Sequence, residues 1–210
     1  HSLYTEREIF LRELVSNASD ALNRMQFEQL TNQDVVDPDA ELKIHITTDE
    51  EAGTLTISDT GIGMTQAEME GNLGVIAHSG AKAFIEAMQE SKNGASAQDV
   101  IGQFGVGFYS VFMVADRVRV VSRSYDPEAT VYAWESAGDE TYSLEEAERD
   151  GRGTDIIITL KEDAKEFLQA WKLKDIIRRH SDYIAFPIYV ADDEEPTNKQ
   201  TAIWRQQPNE

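Results

Sequence analysis

An α+β or mixed α/β fold, with helices packed on one face of a sheet, is what this 210-residue sequence predicts. Two observations carry that class. A long apolar arc at helical spacing opens the chain, and later segments alternate apolar and polar residues with the period of strands. Successive strands are joined by short turns, so neighbouring pairs run antiparallel.

Residues from about 5 to 30 form one helix, because Phe10, Leu11, Leu14, Val15, Ala18, Ala21, Leu22 and Met25 recur on one side. Leu42 to Thr48 and Thr54 to Asp59 alternate as strands around an acidic turn that ends at Gly53. Gln66 to Leu73 and Ala81 to Gln89 read as short helices, and Ser91 to Gln98 as a polar, mobile loop. Gly105 to Ala115 reads as a helix, with strands at Arg117 to Ser124, Thr130 to Glu135 and Asp155 to Leu160. Residues 135 to 150 hold seven acids against one base and read as a solvated loop and helix face. Ala164 to Ala185 is helical with a break near Trp171. After Pro187-Ile188-Tyr189-Val190, the acidic run Asp192 to Glu195 and Pro196 mark a boundary. The reading is one domain over 1–190 and a linker over 191–210.

Composition bounds the function. The chain has 39 acidic and 19 basic side chains, a net charge of −20. Such a surface repels duplex nucleic acid and anionic membrane, both of which need Lys and Arg to meet phosphate. A polyphosphate ligand is not excluded, because screened surface charge does not reach a local cradle of backbone N–H groups. Without cysteine there are no disulfides, thiolate zinc sites or cysteine nucleophiles. The longest uncharged run, Val100 to Ala115, is short of the ~20 residues a membrane span needs. The opening His1-Ser2-Leu3-Tyr4 reads as a cut into a longer protein.

Four short patterns carry chemistry. Glu13, Asn17 and Asp20 fall within roughly a 60° arc of the first helix. A carboxylate there can take a proton from water, and an amide oxygen one turn on can ligate a hard cation. Alone, the triplet reads first as the polar border of an amphipathic helix. Asp59-Thr60-Gly61-Ile62-Gly63-Met64 follows a strand. Its glycines admit a flat ligand, and its carboxylate can accept a hydrogen bond from an exocyclic amine. The alternative is an ordinary turn. Gly102-Gln103-Phe104-Gly105-Val106-Gly107-Phe108 opens a helix and can present N–H groups to an anion, or serve as a hinge. Gly151-Arg152-Gly153-Thr154 precedes a strand and offers a hydroxyl, or simply turns.

In this order the patterns resemble the GHKL ATPase superfamily of DNA gyrase B, heat shock protein 90, histidine kinases and MutL. The longer strings YTEREIFLRELVSNASDA (Tyr4 to Ala21), DTGIGMT (Asp59 to Thr65) and IGQFGVGFYS (Ile101 to Ser110) resemble the heat shock protein 90 chaperones, bacterial HtpG type. The resemblance covers Ser2 to about Trp204 and implies the N-terminal, ATP-binding domain of a three-domain, dimeric, cytoplasmic chaperone. It also implies a two-layer α/β sandwich, the Bergerat fold, with an eight-stranded, largely antiparallel mixed sheet covered by helices on one face.

By the resemblance, Glu13 activates the water that attacks the γ-phosphate, and Asn17 ligates Mg2+. Asp59 binds adenine N6, with Gly63 and Thr154 holding water around that contact. Met64, Asn72 and Phe108 line the pocket, while Gly105, Val106, Gly107 and Phe108 offer N–H groups to the phosphates of ATP or ADP. Residues from about 74 to 105 form a lid. His78 stands where the family often has a fixed positive charge, and an unperturbed imidazole is mostly neutral at pH 7. The implied partners are client proteins and a second copy. The copies join through a C-terminal domain absent from this chain, and their N-domains pair transiently with ATP. A middle domain that supplies an arginine to the γ-phosphate is absent too, so the fragment is expected to hydrolyse ATP feebly.

Two other readings were open. Another GHKL enzyme would need a phosphoacceptor-His domain upstream or DNA, and the acidic surface disfavours DNA. A non-catalytic module would not need both Glu13 and Asn17.

Overall fold

The computed structural model describes residues 7–79, 86 and 107–200, without the side chains of 75–79. Its elements are α1 (Ile9–Glu28), β1 (Ile44–Asp49), β2 (Thr54–Asp59) and α2 (Gln66–Ser79). A 3-10 helix (Gly107–Met113) follows, then β3 (Ala115–Arg123), β4 (Tyr132–Ser136), β5 (Ser143–Glu146) and β6 (Gly153–Leu160). A second 3-10 helix (Glu162–Leu168), α3 (Ala170–His180) and β7 (Ile188–Val190) complete the described chain.

The strands form one sheet in the order β5-β4-β3-β6-β2-β1-β7. Every pairing is antiparallel except β1 with β7. The α+β class and the mixed, largely antiparallel sheet are as expected, with seven strands among the described residues where eight were expected.

One face of the sheet is apolar. Leu55 and Ile57 of β2, Ile158 and Leu160 of β6, and Val118 and Val120 of β3 are buried with α1 in a single core. The α1 arc is buried as its spacing requires, from Phe10 through Leu14 and Leu22 to Met25. On the opposite face Arg119 pairs with Glu135 at 3.2 Å and Glu145 at 3.1 Å, a charged surface turned to water. Glu8, just before α1, is buried and paired with Lys172 at 3.0 Å and Arg179 at 2.9 Å of α3. Removing both cations would leave the Glu8 charge buried and unpaired, so the pairs fix how α1 enters the core.

Several boundaries differ from the sequence reading. Gly107–Met113 is 3-10 where a helix from Gly105 to Ala115 was expected. The Ser110 hydroxyl donates to the Gly107 carbonyl at 2.6 Å, and all sides of the segment are buried, so no amphipathic α-helical face exists to extend. The acidic stretch 135–150 contains the edge strand β5, where Leu144 alone is half-buried. Its exposed Glu145 and Glu146 hide the strand signal and discourage edge-to-edge pairing. The helical break comes at Gln169, in extended backbone, two residues before Trp171, and α3 ends at His180. Helix α2 starts at a reciprocal capping box of Thr65 and Glu68, 3.2 Å and 3.1 Å, and runs past Leu73 to Ser79. Asn198 stays on the domain, buried, bonded to Ile188 N–H and to the carbonyls of Ile184 and Phe186. The expected helix Ala81 to Gln89 and the loop Ser91 to Gln98 lie outside the described residues apart from Glu86.

Candidate nucleotide site

Strand β2 alternates so that Leu55, Ile57 and Asp59 share the core-facing side. The same period that buries the two aliphatics therefore delivers a carboxylate beneath α1. Asp59 is paired in register with Thr154 of β6, and Thr154 with Ser122 of β3. These three polar side chains stand on one rung across adjacent strands. The Thr154 and Ser122 hydroxyls are 2.8 Å apart, and the Met64 N–H donates to Ser122 Oγ at 2.8 Å. All three rung residues are buried.

The Asp59 carboxylate accepts the Gly61 N–H at 2.8 Å. Burial pushes its pKa up to about 7, opposed by that N–H and by the nearby Arg149 guanidinium. It is thus a carboxyl poised to be either donor or acceptor near neutral pH. Gly63 adopts φ +67°, and a Cβ there would strike the Arg123 carbonyl. The glycine is required by both the left-handed backbone and the close approach to β3.

Above this rung lies a cavity of about 500 Å³ between α1, α2 and the sheet, in the range of small-molecule sites. Asp59, Gly63, Met64, Asn72, Phe108 and Thr154 line it, as does Asn17 from α1. A wider groove of about 610 Å³ adjoins it at Arg24 and Ile62, beside the exposed Phe27, and contains none of the expected site residues. The smaller cavity holds the convergent polar groups.

Glu13 stands one turn before Asn17 but outside the cavity lining. Its carboxylate accepts Arg12 Nη2 at 3.3 Å and lies against Gly107, where a Cβ would strike it. The structure therefore brings the first-helix carboxylate to the end of the glycine-rich segment, where the 3-10 helix begins. Gly105 and Val106 lie outside the described residues; His78 falls within α2, with its side chain outside them. The lid span of about 74–105 is likewise outside, apart from the end of α2 and Glu86. Asn72 is exposed, its amide 4.0 Å from the Met64 sulfur.

The residues fit a nucleotide: a buried acceptor at the floor, glycines at close approaches and an apolar wall. Among the described residues no group of three or more His, Asp or Glu could hold a metal ion. A magnesium ion that keeps its waters and phosphate ligands needs only one or two protein oxygens, and Asn17 is among the residues that line the cavity.

Sequence reasoning missed Ser122, Arg149 and Arg152. Arg149 Nη2 donates to the Asp59 carbonyl at 3.0 Å and to Asp155 Oδ1 at 3.0 Å. Ser122 sits in an unremarkable strand, and nothing local marks it. Arg152, flanked by two glycines in a strongly acidic chain, was the readable signal.

No described helix is long and apolar enough to cross a membrane. Residues 4–148 match the family model described as histidine kinase-, DNA gyrase B-, and HSP90-like ATPase. The chain is 50% identical over 210 residues to "Chaperone protein HtpG" of Desulfitobacterium hafniense (strain Y51), covering 100% of this chain and 34% of that protein. It is 52% identical over 190 residues to the protein of the same name from Geobacter sulfurreducens, covering 90% of this chain and 29% of that protein. For Chlorobaculum tepidum the identity is 45% over 212 residues, covering 100% of this chain and 33% of the relative. The chain spans about a third of the length of the curated relatives it matches. By its sequence match, its sheet and its cavity, this chain belongs to the histidine kinase-, DNA gyrase B- and HSP90-like ATPases.

Proposed function

We propose that this chain is the N-terminal ATP-binding domain of an HSP90-type chaperone, working in the bacterial cytoplasm on client proteins and as part of a homodimer. The observation that carries the reading is the buried Asp59 carboxylate on the cavity floor, hydrogen-bonded by Gly61 and paired in register with Thr154.

In this reading Asp59 accepts a hydrogen bond from the adenine amine, and Gly63 and Thr154 hold the water around it. Met64, Asn72 and Phe108 form the walls. The backbone N–H groups of Gly105 to Phe108 hold phosphate oxygens without lysine, which is how a chain of charge −20 accommodates a polyanion. Asn17 supplies an oxygen to Mg2+, which when bound neutralises phosphate charge. Glu13 accepts the proton of the attacking water, and Arg12 beside it holds the carboxylate in place until then. Closure of residues 74–105 excludes bulk water, and His78 adds a phosphate-side contact that strengthens when its imidazole is protonated. In the whole protein, closure goes with pairing of the N-domains.

Calorimetry of ADP binding tests the floor of the site. Wild-type protein binds, and Asp59→Asn loses binding by more than about 100-fold, because the amide turns a donor toward the amine. Unchanged affinity in Asp59→Asn would overturn the adenine assignment. Glu13→Ala is expected to bind ADP as wild type does and to lose ATP turnover, measured as phosphate release in the full-length protein.

A further inference from the structure

Arg152 carries its charge where only 1% of its surface meets solvent. Burial of a cation costs several kcal/mol unless its donors are met. Among the described residues no carboxylate hydrogen-bonds this guanidinium. Backbone carbonyls meet two of its three nitrogens: Nε donates to Thr60 O at 3.0 Å and Gly61 O at 3.2 Å, and Nη1 to Val36 O at 2.6 Å and Asp37 O at 2.7 Å, while Nη2 is buried without a hydrogen-bond partner among the described residues. Its main-chain N–H donates to Asp37 Oδ2 at 3.2 Å, holding that residue at φ +50° in the left-handed region.

The four carbonyls belong to two loops far apart in sequence. One follows α1 and the other is the turn that leaves Asp59. Gly61, gripped by Arg152 at its carbonyl, is the residue whose N–H holds the Asp59 carboxylate. Arg149 grips the same strand end from the other side through the Asp59 carbonyl, but its charge is answered by Asp155 at 3.0 Å. The Arg152 charge has no such partner, and the carboxylates whose fields it feels are Asp37 and Asp59.

We infer that Arg152 is the positioning residue for base recognition: it locks the Thr60–Gly61 turn onto the loop after α1 and thereby sets where the Asp59 carboxylate meets the nucleobase. The inference rests on the reading of Asp59 as acceptor for an exocyclic amine. An arginine that merely held the fold together would change stability and weaken all nucleotides alike. A positioning residue changes the preference for a base that bears the amine.

The test is calorimetry of ADP and of inosine diphosphate, which carries a carbonyl in place of the amine, on wild type, Arg152→Gln and Arg152→Lys. Wild type prefers ADP. In Arg152→Gln the ADP affinity falls about tenfold while inosine diphosphate changes little, so the preference collapses. Arg152→Lys restores the charge but not the fork that spans both loops, and recovers part of the preference. A folded Arg152→Gln that keeps the wild-type ratio overturns the inference; if that variant does not fold, Arg152→Lys carries the same comparison. On wild-type protein labelled with 15N-arginine, the Arg152 Nε resonance shifts more with ADP than with inosine diphosphate, and an equal response overturns the inference without any variant. Equal affinities of wild type for both nucleotides would overturn the base reading itself, a result distinct from a retained preference in the variants.

Discussion

At the floor of the cavity Asp59, Thr154 and Ser122 are buried and tied across three strands, whereas at the α1 wall Asn17 and Asp20 stand exposed and Glu13 is half-buried against Arg12 and Gly107. The floor has two arginines gripping its backbone from behind. The wall is one face of a helix whose other face does the packing. On the proposed reading, the contrast teaches that recognition of the base is preorganised by the sheet, with its costs met on folding. The groups proposed to handle phosphate and water are left solvated, free to reorganise around a ligand.

The sharpest way to break that comparison is to disturb the floor. Gly153 holds φ +122°, and a Cβ there would strike the Asp59 carbonyl. Gly153→Ala is expected to cost about 3 kcal/mol or more of stability, read by urea unfolding, because backbone cannot yield there as a side chain can. The matching change at the wall, Gly107→Ala, pushes on the Glu13 carboxylate instead. Stability is expected to change by less than about 1 kcal/mol. Turnover should fall about tenfold while ADP affinity stays near wild type, since only the water-activating group is displaced. A large loss of stability in Gly107→Ala would erase the distinction between the two ends.

The third effect is a dependence on pH. Asp59, pushed up to about 7 by burial, faces Arg149, Asp155 and Arg152, with Asp20 and Arg24 lining the same cavity from α1. Below that value the carboxyl is largely neutral, and above it a full acceptor. Affinity for adenosine, which does not itself titrate in this range, should rise roughly tenfold from pH 6 to pH 8 and then level off. Linkage gives stability the opposite sign. A carboxyl whose pKa is raised in the folded state stabilises fully below its ordinary range, and that stability is lost as pH climbs toward 7. NMR titration reads the first and thermal unfolding the second. The Asn17 end, with no buried carboxyl, should show neither.

What the sequence made legible divides along the same line. Strand alternation placed Asp59 at the end of a strand, facing core or cleft, and helical spacing put Glu13 and Asn17 beside the apolar arc, because both are local periodicities. Ser122 and Arg149 were out of reach, since their roles exist only after remote strands have met. The edge strand β5 was hidden for another reason: its acidic, exposed residues serve solubility and negative charge, and carry almost no packing pattern.

One consequence follows from the rung that joins Asp59, Thr154 and Ser122. The spacing of these groups is set by the distance between paired strands, about 4.8 Å, and not by any loop. The sheet is therefore the ruler of the site. Apart from the Thr60–Gly61 turn and the loop after α1 that Arg152 joins, loops around it can lengthen or change composition without moving the recognition groups. Deleting a single residue within β6 would turn Thr154 to the solvent face and unmake the pocket while leaving every side chain type in the chain's inventory.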